Sequence, residues 1–329
     1  MHFENLPKIE LHLHLDCSLS YDVVRKIDPS ITEEMYKSSF IAPARCTDLV
    51  DYISRANNAI DIMQTLDQLK WVTEDLFDQL QKDHIIYAEI RFAPLLHIQK
   101  GLSPAAVVQV VNDAAVASVA RTGVEARLIL CTLRHYSEAQ SMETVQLVEQ
   151  FKGTLVAGFD IAADEAGFPI DEHIKAFAYA REKEIPCTAH AGEAKGAESV
   201  WETCTHFKPS RIGHGVRSSE DARLLEYLKE QDIHLEICPT SNLQTNIYQN
   251  ISAHPIDRIY KSGVSMSVNT DCKTITPVTL SSEYALIAHT FHWETENFLH
   301  CNLEAIRHAF IPEALKERLT EIIRSAYKP

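Results

Sequence analysis

Short apolar segments alternate with longer helix-like segments along most of the chain. Eight of the apolar segments have the length of strands. They cover residues 8–16, 85–94, 125–133, 153–162, 185–193, 211–215, 233–241 and 264–271. Helix-like segments lie between them, for example at 105–122, 173–183 and 219–231, and Ser219 is predicted to cap the last of these. A strand followed by a helix, repeated along the chain, predicts a parallel sheet.

The spacing of this repeat favours a closed barrel over an open sheet. His190, His214 and Cys238 follow one another at intervals of 24 residues, about the length of one strand–helix unit. A doubly wound open sheet would also need a glycine-rich phosphate-binding turn, which the sequence lacks. We therefore expect an α/β fold, a (β/α)8 TIM barrel, with residues 1–329 forming a single domain. Extra helices are predicted in residues 17–84, as a lid over the barrel mouth, and at the C-terminus.

Composition and charge restrict the kinds of partner. The chain has 31 Lys and Arg against 46 Asp and Glu, and this net charge of −15 disfavours binding to nucleic acid. With 45% hydrophobic and 23% charged residues, the composition is that of a globular protein. No apolar run approaches the roughly 20 residues of a membrane helix, and the N-terminal segment lacks a signal-peptide pattern. We expect a cytoplasmic protein with no membrane partner, whose eight cysteines, without a C-x-x-C pair, are reduced.

Two histidines alternate with leucines in the first strand-like segment, KIELHLHLD. His12, His14 and Asp16 share one face of this strand, because residues two apart point the same way. If the leucine face packs under the helices, both imidazoles point into the barrel at its C-terminal mouth, where barrel enzymes hold their sites. Alone, such a pattern more often belongs to two hydrogen-bonded histidines on a half-buried strand.

Three further strand ends carry residues able to bind a metal or transfer a proton. His190 and Glu193 end the fifth segment, His214 ends the sixth and Asp271 ends the eighth. A lone strand-end aspartate is usually a helix cap, but these residues are all expected at one mouth. Three imidazoles and a carboxylate suit zinc, and iron or another divalent ion is the alternative. The motifs H-E-x-x-H, G-x-S-x-G and Walker A are absent.

The chain resembles the adenosine deaminase family over nearly its whole length. The motifs PKIELHLHLD, VAGFDIAADE, TAHAGE, RIGHGVR, EICPTSN and SVNTD follow one another in the order found in that family. The resemblance implies a mononuclear metal-dependent amidohydrolase with one Zn2+ per chain. It further implies that a zinc-activated water deaminates adenosine, and 2'-deoxyadenosine, to inosine and ammonia, so the expected partner is a small-molecule purine nucleoside.

The same resemblance implies a role for each matching residue. The implied metal ligands are His12, His14, His190 and Asp271. The implied catalytic residues are Glu193, which protonates purine N1, His214, which orients or deprotonates the attacking water, and Asp271, which also touches that water. Asp160 is a further candidate to orient a metal ligand, by analogy with metal sites in general.

The substrate-facing positions depart from the family pattern. Asp16 is implied to hydrogen-bond the ribose, with His14 beside it. Cys272 replaces an aspartate that pairs with purine N7, and a thiol is a weak donor. Ala163 replaces a common glycine whose N–H reaches N3, and Cys17 replaces a glycine after Asp16. Cys17 and Cys272 are the cysteines expected to flank the site.

These departures keep several alternatives open. The nearest is a deaminase of another 6-aminopurine, either free adenine or a sugar-modified adenosine. A metal hydrolase of esters or amides and a catalytically silent nucleoside-binding protein are the others. The sequence leaves the oligomeric state open.

Overall fold

The computed structural model describes residues 3–328, and it contains all eight predicted strands. They are β1 (Lys8–His14), β2 (Ile85–Phe92), β3 (Glu125–Leu133), β4 (Val156–Ala162), β5 (Thr188–Ala191), β6 (Arg211–His214), β7 (His234–Ile237) and β8 (Met266–Val268). Every pair of hydrogen-bonded neighbours is parallel. The predicted α/β fold is confirmed, although several strands are shorter than the apolar segments that indicated them.

Fifteen helices connect and cover the strands of the described chain. Five lie between β1 and β2, as predicted: α1 (Tyr21–Ile27), α2 (Glu33–Ser39), α3 (Leu49–Ser54), α4 (Ala56–Asp61) and α5 (Leu66–Lys82). The next seven are α6 (Pro104–Thr122), α7 (Glu138–Gln150), α8 (Ile174–Glu182), α9 (Ala197–His206), α10 (Ala222–Glu230), α11 (Pro239–Gln244) and α12 (Ile256–Ser262). After β8 come α13 (Leu280–Phe291), α14 (Thr295–His308) and α15 (Glu313–Ala326), also as predicted. Within residues 3–328, no helix has both the length and the apolar character needed to cross a bilayer.

The eight strands surround one interior. They pair in two four-stranded sheets, β1 to β4 and β5 to β8, each in chain order. A parallel bridge between Phe159 and Cys187 joins β4 to the segment that leads into β5. A second bridge, between Leu13 and Asp271, joins β1 to the segment that follows β8. The two sheets are thereby connected at both of their edges.

Side-chain amides complete the junction between β1 and β8. The N–H of Leu11 donates to Oδ1 of Asn269 at 2.9 Å, and the N–H of Ile9 donates to Oδ1 of Asn302 in α14 at 2.8 Å. Both amides are buried. Because a buried backbone N–H needs an acceptor, these side chains replace the ladder bonds that the short β8 does not supply.

The polar face of β1 is buried as fully as its apolar face. Leu11 and Leu13 pack into the main core, as the predicted alternation requires. Lys8, Glu10 and His12 are also inaccessible to solvent, because their face lines the barrel interior. Each finds a polar partner there; the carboxylate of Glu10, for example, accepts the N–H and the hydroxyl of Thr270.

The start of α10 differs from the prediction. Asp221 caps this helix, and its carboxylate accepts the N–H of Arg223 at 2.9 Å. Ser219 lies in a preceding 3-10 turn, Val216–Glu220, so its predicted capping role is wrong. Asp221 is held in the capping position by Trp201, whose indole N–H donates to it at 3.0 Å.

Replacing Asn269 by Ala should lower the free energy of unfolding by about 1–3 kcal/mol, because the buried N–H of Leu11 would lose its acceptor. Urea denaturation in the presence of a chelator measures this change without any contribution from bound metal. Asn5→Ala, at an exposed position, is the control and should change the free energy by less than about 0.5 kcal/mol. Equal losses in the two variants would contradict the role given to the Asn269 amide.

Candidate active site

Three positions at strand ends adopt a backbone conformation that is uncommon for residues other than glycine. Ala163, His214 and Asp271 have φ angles of +79°, +59° and +69°. A residue with a Cβ atom pays about 1–3 kcal/mol for this conformation. All three residues, which the sequence analysis had singled out, line the same cavity. Six other non-glycine residues of the described chain also have positive φ angles, but none of them lines this cavity. Three such residues around one cavity indicate a functional site.

The four proposed metal ligands converge at the mouth of the barrel. Nε2 of His14 lies 3.2 Å from Nε2 of His190. Oδ1 of Asp271 lies 3.5 Å from Nε2 of both His12 and His14. Nε2 of His12 is buried and has no hydrogen-bond partner among the described residues. A buried, unpartnered nitrogen that faces a carboxylate oxygen and two further imidazoles fits the donor set of a divalent cation.

Two buried carboxylates orient these imidazoles. Oε2 of Glu236 lies 2.8 Å from Nδ1 of His12, and Oδ1 of Asp160 lies 3.2 Å from Nδ1 of His190. When Nδ1–H is donated to a carboxylate, Nε2 keeps its lone pair for a metal. Asp160 was predicted for this role from the sequence, and Glu236 was not. The available signal was an acidic residue inside a buried strand, which is rare unless a partner neutralises it.

Arg91 of β2, which the sequence analysis also missed, joins the two carboxylates. Its Nη1 donates to Asp160 at 2.8 Å, and its Nη2 donates to Glu236 at 2.7 Å. Burial alone would raise the pKa of Glu236, but the guanidinium groups of Arg91 and Arg211 outweigh burial and hold that pKa well below its usual range. The carboxylates that orient the imidazoles are therefore ionised.

Glu193 and His214 face each other beside the ligand cluster. Oε2 of Glu193 lies 3.6 Å from Nε2 of His214, and both groups approach Asp271 to within 4.8 Å. Glu193 is buried, and this burial, followed by the charges of Asp271 and Glu165, raises its pKa well above the usual range. A carboxyl group of this kind holds a proton near neutral pH and can donate it.

A chain of hydrogen bonds behind His214 determines which of its nitrogens carries the proton. The backbone N–H of Ile256 donates to Nδ1 of His254, so Nε2–H of His254 donates to Oδ1 of Asn242. Nδ2 of Asn242 then donates to Nδ1 of His214 at 3.1 Å. Because a backbone N–H can only donate, this chain places the proton of a neutral His214 on Nε2, which faces the cavity. The sequence analysis missed both Asn242 and His254, and His254 carries no local signal.

The remaining predicted residues line a cavity of about 330 Å3 between the ligand cluster and helices α3 and α4. Oδ2 of Asp16 accepts the N–H of Ala93 at 3.2 Å. Its Oδ1 has only long contacts of 3.9 Å, with Sγ of Cys17 and Nδ1 of His14. Oδ1 of Asp16 is therefore able to accept a further hydrogen bond.

The charge of this cavity is negative. Among the described residues that line it, three have carboxyl groups, namely Asp16, Glu193 and Asp271, and none is Lys or Arg. The thiol of Cys272 donates to Oδ1 of Asp271 at 3.4 Å. The other lining residues are mostly apolar, so the cavity suits an uncharged, partly aromatic ligand better than an anion.

A third cysteine lies beside the cluster, so the expectation that Cys17 and Cys272 flank it is incomplete. Sγ of Cys238, directly after β7, lies within 4.8 Å of ring nitrogens of His12 and His214. Burial raises the pKa of Cys238 well above its usual range, and its thiol donates to the carbonyl of Glu236. The side chain is therefore a neutral thiol here. All eight cysteines are free and buried.

Residues 7–326 match the model of the family described as Adenosine deaminase. The chain belongs to the adenosine deaminase family. A member of this family, the adenosine deaminase of Enterococcus faecalis, is 33% identical over 328 residues, which cover 98% of this chain and 97% of the relative.

Solved structures agree with the barrel architecture. An adenine deaminase from Arthrobacter aurescens has a TM-score of 0.90 at 22% identity, covering 97% of this chain and 98% of its own. An amidohydrolase from Burkholderia ambifaria, solved with bound zinc, has a TM-score of 0.91 at 19% identity, covering 99% and 92%. At these identities the two structures support the fold alone.

Glu236→Gln should weaken the binding of a divalent cation at the imidazole cluster by roughly 10–100-fold. The Glu236 carboxylate binds His12, Arg91 and Arg211 through its two oxygens. A glutamine side chain has only one acceptor oxygen, and its NH2 group would face one of these donors, so the ring of His12 would be held less firmly. Competition of metal-depleted protein with a chromophoric chelator for Zn2+ measures the dissociation constant.

Glu89→Gln is the matched control, because Glu89 is equally buried but its carboxylate binds Arg211 and Tyr87 rather than an imidazole. The same loss of affinity in both variants would show that Glu236 acts only through the stability of the barrel.

Proposed function

We propose that this protein hydrolyses adenosine, and 2'-deoxyadenosine, to inosine or 2'-deoxyinosine and ammonia. The observation that carries the proposal is the buried carboxyl group of Glu193, which faces His214 at one side of the imidazole and carboxylate cluster. Hydrolysis of an ester or amide at such a cluster does not need a proton donor for a ring nitrogen, whereas deamination of a purine does. Relatives named adenosine deaminase align with nearly the whole chain, which supports the same reaction.

We propose that one Zn2+ is held by four side chains, namely His12, His14, His190 and Asp271. The neutral Nε2 atoms and the carboxylate oxygen match the donors that zinc prefers, and zinc is bound in the related Burkholderia structure. When bound, the ion would supply a Lewis acid that makes water nucleophilic near neutral pH. Cys238 is not included, because a neutral thiol is a poor ligand.

Glu193 holds the proton that the purine ring requires. Addition of water at C6 moves an electron pair onto N1, and the proton of Glu193 passes to N1 to neutralise the developing charge. Asp271 takes the proton that the attacking water loses and passes it to the amino nitrogen, so the bond between C6 and that nitrogen breaks and ammonia leaves. The hydroxyl proton at C6 returns to Glu193, and a 6-oxopurine is the other product. One water is consumed for each ammonia released.

His214 orients the attacking water rather than deprotonating it. The hydrogen-bond chain from Ile256 leaves the proton on Nε2, so this nitrogen donates a hydrogen bond toward the cavity. Asp271 is better placed to accept, since its Oδ2 is occupied by the hydroxyl of Ser241 at 2.7 Å while Oδ1 faces the cluster.

The sugar and the far side of the base would contact Asp16, Ala163 and Cys272. Oδ1 of Asp16 accepts a ribose hydroxyl, next to His14. The N–H of Ala163 reaches purine N3, and the thiol of Cys272 lies near N7. Because no Lys or Arg lines the described cavity, a nucleoside is favoured over a nucleotide, whose phosphate would lie among carboxylates.

A panel of 6-aminopurines tests the proposed function. Metal-loaded protein should release ammonia from adenosine and 2'-deoxyadenosine, with loss of the 6-aminopurine absorbance, and should act on AMP with a kcat/KM at least about 100-fold lower. Preference for free adenine would favour the nearest alternative. Binding of adenosine without ammonia release would indicate a silent binder, and turnover of none of these compounds would reject the proposal.

Glu193→Gln should retain zinc and lower kcat by roughly 100- to 10,000-fold, because the proton donor for N1 is removed while the metal ligands stay intact. Elemental analysis and steady-state kinetics of the same preparation measure the two effects. His14→Ala is the comparison variant and should lose the metal itself. A Glu193→Gln enzyme that turns over adenosine at the wild-type rate would refute the assignment of N1 protonation.

A further inference from the structure

Glu165 lies next to the site, yet the proposed reaction does not use it. It is the last residue of the segment VAGFDIAADE, three residues after the end of β4, and is only 2% exposed. Its carboxylate accepts hydrogen bonds from five donors. They are the N–H groups of Gly192 at 2.7 Å, Glu193 at 3.0 Å, Ala194 at 2.6 Å and Lys195 at 2.9 Å, and the hydroxyl of Ser199 at 2.5 Å. These five donors occupy acceptor positions on both carboxylate oxygens.

Four of these donors are successive backbone amides between β5 and α9. Successive N–H groups can face one anion only if the backbone curves around it, and Gly192 permits this with a φ of +67°. A Cβ atom at this position would lie 2.5 Å from Cγ2 of Val200, so no other residue fits without displacement. Residues 192–195 are thus shaped around the Glu165 carboxylate, and their amide dipoles compensate its charge.

The anchored segment carries Glu193, and the anchor itself comes from the loop that follows the neighbouring strand, β4. Glu165 follows Ala163, which lines the cavity, and its own loop is held by Asp164, whose Oδ1 accepts the N–H groups of Ala166 and Gly167. One carboxylate therefore sets the distance between the loop after β4 and the loop after β5. It also fixes the backbone from which the carboxyl group of Glu193 reaches to within 3.6 Å of His214.

We propose that Glu165 is a positioning residue for Glu193, which holds the proton-donating carboxyl group against the purine ring by binding the amides of residues 192–195. This inference rests on the proposed function, in which Glu193 delivers a proton to the substrate. The negative charge of Glu165 acts in the same direction, because it helps burial and Asp271 to raise the pKa of Glu193.

The first test is Glu165→Gln. A glutamine has one acceptor oxygen for five donors, so several amides of residues 192–195 lose their partner and the segment shifts. Hydrogen–deuterium exchange of the peptide that contains these amides should become faster. The kcat for adenosine should fall by about 10–100-fold, with a change in KM of less than about threefold and an unchanged metal content. Unchanged exchange and unchanged kcat would overturn the inference.

A double-mutant cycle separates positioning from a general loss of stability. In the Glu193→Gln background, Glu165→Gln should lower kcat by less than about twofold, because the group that it positions is already missing. Independent, multiplicative losses would show that Glu165 does not act through Glu193. If Glu165→Gln does not fold, Glu165→Asp tests the same point, since it keeps the charge but withdraws the carboxylate by one carbon. Faster exchange and a lower kcat are again expected. If the exchange rate and kcat both stay at the wild-type values, the positioning role is refuted.

Asp83→Asn is the matched structural control. Asp83 is also a buried carboxylate that accepts successive backbone amides, those of Leu280 and Ser281, but it lies outside the cavity. This variant should lower the melting temperature and leave kcat unchanged. If kcat instead falls as much as in Glu165→Gln, Glu165 contributes only to the stability of the fold. If the wild-type enzyme releases no ammonia from any 6-aminopurine, the proposed function fails, while the exchange experiment still decides whether Glu165 anchors the segment.

Discussion

A buried guanidinium crosses the interior of the barrel and binds to three strands other than its own. Arg91 extends from β2 and donates to the carbonyl of Leu11 on β1, to Asp160 on β4 and to Glu236 on β7. A charge removed from water is costly unless partners neutralise it. Loss of this cation would remove the guanidinium partner of Asp160 and would leave Glu236 paired with Arg211 alone. Since Asp160 and Glu236 each bind an imidazole, the ion pairs that make the interior stable also aim the Nε2 atoms of the ligand cluster. Structure and chemistry therefore depend on the same charges.

At the strand ends, by contrast, the backbone conformation that the site needs lowers the stability of the fold. His214 and Asp271 adopt positive φ angles without being glycine. In each case surrounding bonds compensate the strain: Asn242 binds the ring of His214, and Ser241 binds the carboxylate of Asp271. Both partners lie in α11, so one short helix after β7 supports the ends of the two strands that flank β7, namely β6 and β8. This explains why EICPTSN, which contains no metal ligand, is nevertheless one of the motifs of the site.

Local patterns in the sequence were sufficient to predict the parts of the molecule that local physics determines. The eight strands followed from apolar segments, and the placement of His12 and His14 followed from the two-residue period of a strand. The partners across the barrel were not accessible in this way. Arg91, Asp160 and Glu236 meet only because of the relative register of β2, β4 and β7, which depends on how the whole sheet closes. The contact between His254 and Asn242 likewise depends on the tertiary fold and not on their spacing in the sequence. Asp221 rather than Ser219 caps α10, and Asp221 is held there by a tertiary hydrogen bond from Trp201.

The residues that depart from the family pattern lie in the substrate-facing part of the cavity, where fewer hydrogen bonds restrict the choice of side chain. Three of the proposed metal ligands, His12, His190 and Asp271, are each hydrogen-bonded to a further side chain, so a change in any of them would leave a buried polar group without its partner. Cys272 and Cys17 instead pack with Leu49 and Tyr52 of α3 in an apolar cluster separate from the main core. An aspartate in place of Cys272 would be desolvated by this cluster and would lie beside the carboxylate of Asp271, where like charges repel. The two cysteines are therefore best understood together, as part of the apolar cluster that packs against the helices covering the cavity.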